Sequence, residues 1–227
     1  MKPWVVLDEA DTPGGTHIAL KQRDQEFAIF ADRYNLMSSR THGSEEALAA
    51  LGCAHARTLP RPRVLVGGLG LGFTLRAALD LLPPTATVTV AELLPKVVEW
   101  NRGPLAHFAG HPLADPRVRV DVADVAAVLR SGPGHFDAIL LDVDNGPVAM
   151  TAAGNTGLYS ERGVADARSA LAAGGVLAVW SAGDDREYER RLRRAGFSLK
   201  VEHVRAREKK GARHTIFLAS SRHSYLE

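Results

Sequence analysis

A mostly parallel α/β sheet is what this sequence predicts, and three observations predict it. From residue 64 onward, strand-sized apolar runs alternate with amphipathic helical stretches. The first of those strands empties into a glycine-rich turn at Gly67, Gly68, Gly70 and Gly72. The last two strands are too close in sequence for a crossover, so they must form a hairpin. The chain has 227 residues, enough for one main domain with an appendage, and we place the boundary between 1–62 and 63–227. Hydrophobic residues make up 45% and charged residues 24%, a globular balance rather than a disordered one. A formal charge of +2 gives no whole-molecule case for a nucleic-acid or membrane partner. One cysteine, Cys53, cannot form an internal disulfide, and the N-terminal MKPWVVLDEADTPGG lacks a signal-type apolar stretch, so a cytoplasmic location is expected. No apolar run approaches the roughly 18 residues of a spanning helix.

The elements follow in order. Residues 4–7, 17–20 and 26–30 are short β-prone runs divided by turn signals at 11–15 and 21–25, which predicts a small antiparallel β element. Ser44, standing before Glu45 and Glu46, is the expected cap of a helix over 45–55, whose early acids suit the helix dipole. Pro60 and Pro62 then favour extended chain and mark the boundary. Strands are expected at 64–66, 87–91, 118–122, 138–141 and 176–180, and helices at 73–82, 95–108, 125–129, 161–172 and 186–195. The final strands, 198–204 and 214–219, are joined by the polar turn 205–213, so the last should run antiparallel. That pattern resembles the methyltransferase version of the Rossmann architecture rather than the dinucleotide-binding one.

The glycine loop supports the same distinction. A dinucleotide fingerprint needs Gly at its first, third and sixth positions, but counting from Gly68 the sixth is Phe73, and from Gly70 it is Leu75. Glu92 ends the second strand some twenty positions after Gly72, where a carboxylate can accept from ribose hydroxyls. Asp124 follows the third strand, where it could accept from the amine of adenine or simply cap the next helix; both readings stay open. The arginine groups at 190–194 and 205–213 lack the interleaved aromatics of a nucleic-acid platform and read as solvated faces.

With these positions placed, the stretch 64–175 resembles the spermidine synthases. The likeness rests on VLVGGLGLGFTLRAAL at 64–79, FDAILLDVDNGP at 136–147 and LYSERGVADARSALAAGGVL at 158–177, with RTHGSEEAL at 40–48 in place of the acceptor-gating segment. The resemblance implies an S-adenosyl nucleoside on the glycine loop, Glu92 and Asp124, with Asp142 as the catalytic aspartate, and it implies a homodimer. Three departures accompany it. The loop aspartate that meets the donor's amine is matched by Leu71, the second aspartate after the fourth strand by Asn145, and the gating tyrosine by Ser44.

Asp142 lies at the carboxyl end of the fourth strand, where open α/β sheets place ligands, and can orient an attacking amine or hydroxyl and take its proton. Its bland alternative is a cap on the following turn. Asp144 is the candidate to compensate for Asn145, and His42, Asn145 and Tyr159 are expected to face the acceptor. Asp144, Asn145, Asp184 and Asp185 could converge with Asp142 on magnesium, but Asp184 is expected to cap the helix near Arg186, and no metal is assigned. Because the polyamine anchors are altered, the expected chemistry is methyl transfer from S-adenosylmethionine to a small nucleophilic acceptor. The alternatives are aminopropyl transfer from decarboxylated S-adenosylmethionine, and a nucleoside-binding protein without catalysis.

Overall fold

The computed structural model describes residues 2–12, 14–143, 146–148, 157–206 and 211–221. The chain opens as a four-stranded antiparallel meander: β1 (Val5–Asp11), β2 (His17–Arg23), β3 (Glu26–Ala31) and β4 (Tyr34–Ser38). The fourth strand was not expected, because YNLMS is short and of mixed polarity and gains its strand form only by pairing with β3. Ile18, Leu20 and Ile29 turn inward and join the core of the main sheet. Trp100 is buried there too, and its indole N–H donates to Asp8 of β1 at 2.9 Å.

Helix α1 (Gly43–Gly52) starts earlier than its acids imply. The residue before its first turn is His42, which makes no side-chain capping bond, while Ser44 lies inside the helix and donates its hydroxyl to Glu45 at 2.6 Å. The capping role expected of Ser44 is therefore corrected. The Gly43 amide instead donates to the carbonyl of Ala206, a partner distant in sequence.

The main body alternates as predicted: β5 (Arg63–Gly67), α2 (Phe73–Leu81), β6 (Thr87–Glu92), α3 (Pro95–Arg102), β7 (Val118–Val122), α4 (Val125–Arg130), β8 (Phe136–Leu141), α5 (Glu161–Ala170), β9 (Leu171–Ser181), α6 (Arg186–Arg194), β10 (Ser198–Arg205) and β11 (Arg213–Ser220). Helix α3 is shorter than expected because the chain leaves helical geometry at Gly103. Strand β9 is longer, since it begins pairing with β8 at Leu171, directly after α5. Asp185, not Asp184, caps α6 by accepting from the amides of Glu187 and Tyr188, both at 2.9 Å. Asp184 instead accepts from Thr215 and pairs with His203.

The seven strands lie in the order β10-β11-β9-β8-β5-β6-β7, with β11 antiparallel to both neighbours, as the short turn requires. This is the expected Rossmann-like fold of the methyltransferase type with a small N-terminal β element. Helices α1 to α3 and the N-terminal strands cover one face, and α4 to α6 the other. The middle strands are consequently apolar on both sides: Val64, Leu65, Val66, Ile139 and Leu140 are fully buried, each contributing about 1.5–3 kcal/mol of apolar burial. Successive strands β5, β6 and β7 step one way from the centre and β8 and β9 the other. The reversal between β5 and β8 opens a crevice at their carboxyl ends. Among the described residues no helix is long and apolar enough to cross a membrane.

Candidate active site

Strand register assembles the site. Gly67 stands opposite Ala91 on β6 and Leu141 on β8, so Gly68, Glu92 and Asp142 leave the sheet side by side. Two bonds hold the edge together: the Asp142 amide donates to the Gly67 carbonyl and the Gly68 amide to the Ala91 carbonyl, both at 2.9 Å. Gly68 has φ +86°, and a Cβ there would run into the Asp142 carbonyl oxygen. That conformation and that closeness both demand glycine. Gly67 is confined instead by Val125 and Leu141, and Gly70 lies under Met37, whose sulfur would be 2.8 Å from an added Cβ. Gly72 opens α2, its amide donating to Leu69 at 2.8 Å.

Glu92 is buried, and both of its oxygens work for the backbone. Oε2 accepts from the Leu69 amide and Oε1 from the Leu94 amide, each at 2.9 Å. A carboxylate held at the carboxyl end of this strand is placed where ribose hydroxyls can donate to it. Asp124 caps α4 through Oδ1, accepting from the Ala126 amide at 2.8 Å, as its helix-cap reading expected. Asn101 was not anticipated. Its side-chain N–H groups donate to the carbonyls of Gly70 and Val97, and its buried Oδ1 has no partner among the described residues. An orphaned acceptor against a bare glycine loop is a place where a ligand or water donor fits, so the loop suits a nucleoside donor.

Asp142 is half-buried at the end of β8, with Oδ2 accepting from the Thr74 hydroxyl at 2.6 Å. Burial pushes its carboxyl up to about 7, the negative charge of Glu45 adds to the rise, and the Thr74 bond opposes it. Glu45 is itself pushed up, first by burial and against the pull of its Ser44 bond. Neither Thr74 nor Glu45 was singled out from sequence as a site residue. A hydroxyl in the first turn after Gly72 was the available signal for Thr74, whereas Glu45 read only as a helix-dipole acid.

Of the residues expected to face the acceptor, His42 stacks on Phe73 with ring centroids 4.2 Å apart and pairs with Glu46 at 2.7 Å. That stack sets the start of α1 beside the start of α2. Tyr159 is buried edge-on against Tyr188, and its hydroxyl donates to the Val143 carbonyl at 3.1 Å, bracing the turn that carries Asp142. Asp144 and Asn145 lie outside the described residues. Leu71, where the resembling family has an acid, is buried.

No family model matches the chain. Among curated proteins it is similar to the polyamine aminopropyltransferases of Mycobacterium tuberculosis and Mycobacterium bovis, 35% identical over 121 residues. The match takes in 51% of this chain but only 21% of theirs, so the chain corresponds to a small part of those proteins. Among solved structures, spermidine synthase from Thermotoga maritima superposes with a TM-score of 0.77 at 20% identity, over 97% of this chain and 74% of that one. A spermidine synthase in complex with the transition-state analogue AdoDATO gives 0.75 at 20% identity over the same shares. Fold and site edge define a Rossmann-like protein of the class I methyltransferase type. Within that class its fold is similar to that of the spermidine synthases.

These findings correct the expectation of methyl transfer. The curated relatives are aminopropyltransferases, and Glu45 brings negative charge to Asp142 from an element outside the motif positions.

Proposed function

We propose that the chain is an aminopropyltransferase that uses decarboxylated S-adenosylmethionine and a small amine acceptor. The observation that carries the reading is Asp142: a half-buried carboxylate, beside the bare backbone of Gly68, with its charge state poised near neutrality. The relatives' aminopropyltransferase activity supports it.

In this reading the glycine loop lets the donor's sulfonium arm lie against backbone, and Glu92 accepts from its ribose hydroxyls. Asp142 accepts an N–H of the attacking amine and aims its lone pair at the carbon bonded to sulfur. The N–C bond forms, the C–S bond breaks, and its electron pair remains on sulfur as neutral methylthioadenosine departs. The surplus ammonium proton passes to Asp142 and then to solvent. A base whose proton affinity lies near the working pH serves this transfer best. Thr74 keeps the carboxylate in one orientation.

The test is incubation of purified protein with decarboxylated S-adenosylmethionine and 1,4-diaminobutane, following methylthioadenosine and the aminopropylated amine in equal amounts. Parallel reactions with S-adenosylmethionine should release no S-adenosylhomocysteine. Failure to bind the decarboxylated donor would sink the proposal.

A further inference from the structure

The anchoring of α1 over the β8 edge has a functional consequence. At its C-terminal end, Gly52 is so tightly set against Leu140 of β8 and Ala178 of β9 that no Cβ could be added. At its N-terminal end, His42 stacks on Phe73, and the next residue, Thr74, donates to Asp142. The first turn of α1 is thereby fixed above the carboxyl end of β8, and it carries Glu45.

Glu45 feels the charges of Asp142 from β8 and of His42 and Glu46 from its own turn, and the Ala206 carbonyl accepts from the Gly43 amide at the start of that turn. His42 is paired with Glu46. Among the described residues neither Glu45 nor Asp142 forms an ion pair with lysine or arginine. Two carboxylates whose charges oppose each other in a partly dry site repel until a proton or a cation joins them.

We propose that Glu45 is a specificity-determining residue that reads the positive charge of the amine substrate, forming with Asp142 a two-carboxylate clamp for a primary alkylammonium group. Resting on the aminopropyl-transfer reading, this deepens it: Glu45 supplies from α1 a second anion for the acceptor amine beside Asp142. The same charge repels a donor that retains its methionine carboxylate. An ammonium between the two carboxylates favours their ionised forms, so binding releases protons, and the amine must then give up one proton before its lone pair can attack.

The experiment is calorimetric titration of the full chain near pH 7 with 1,4-diaminobutane, 1,5-diaminopentane and n-butylamine, in two buffers of different ionisation enthalpy so that released protons are counted. The protein should bind at least one of these amines with proton release. Glu45→Gln should weaken binding at least tenfold and abolish the release, and Glu45→Asp should restore part of both. A purely structural role would alter thermal unfolding without changing the proton count. Unchanged affinity and proton release in Glu45→Gln, or binding of none of the three amines, would overturn the inference. Turnover of decarboxylated donor, measured separately, tells the two ideas apart: turnover indifferent to Glu45→Gln removes only the clamp. Glu45-dependent amine binding without any turnover removes only the transfer reaction.

Discussion

The two carboxylates at neighbouring ends of one sheet are built in opposite ways. Glu92, at the end of β6, is buried and accepts from two backbone amides, Leu69 and Leu94, which fix it in one rotamer. Asp142, at the end of β8, has a hydroxyl, Thr74, and a facing carboxylate, Glu45. Amide donors favour the ionised form, whereas burial and a like charge favour the protonated one. In the proposed reaction the β6 edge would hold the donor, and the β8 edge would exchange the proton.

The sharpest break in this comparison is Asp142→Asn. Loss of a general base should lower kcat by about 10²- to 10⁴-fold while leaving donor affinity within a few-fold, as single-turnover rates and calorimetry would report. An equal loss of donor affinity would mean that both edges serve binding. Glu92→Ala should show the reverse pattern, with donor affinity reduced by an order of magnitude or more. It also leaves two backbone amides without their acceptor, so urea unfolding should register a loss of about 2 kcal/mol or more.

Thr74→Val removes the one hydroxyl that steadies Asp142. A lost bond to a charged acceptor predicts about a tenfold fall in kcat. Because that bond holds the Asp142 carboxyl down, the rising limb of the kcat–pH profile should also move to higher pH. No shift would place Asp142 outside the rate-determining proton transfer.

The smallest effect concerns stability. Asp142 is raised from 3.8 in the unfolded chain to about 7 in the fold, so between these pH values the folded protein binds more protons. Its contribution therefore falls as pH rises from about 4 to 7 and stays low above that. Asp142→Asn should remove this slope and leave the variant more stable than the parent at pH 8, on the order of 1 kcal/mol by urea unfolding. A variant less stable at pH 8 would show that the ionised carboxylate is well satisfied in the fold.

Much of the molecule was legible beforehand because local rules govern it. Period-2 and helical patterns located all the strands and helices of the main sheet, and the nine-residue turn before the last strand required the antiparallel hairpin. Boundaries shifted where distant groups intervened, as when Ala206 drew the start of α1 back to Gly43. Asp184 illustrates the same limit: adjacency predicted a helix cap, but Thr215 and His203 from the hairpin claimed its carboxylate and left the cap to Asp185.

By itself the sequence determined the alternation of strand and helix, the glycine turn, and the strand-end positions of Glu92, Asp124 and Asp142, since each depends on periodicity and chain proximity. Tertiary structure alone decided that Thr74 bonds to Asp142 and that the charge of Glu45 acts on it. Those residues are separated from it by 68 and 97 positions, and only the packing of α1 and α2 beside the end of β8 brings their charge and hydrogen-bonding groups within reach.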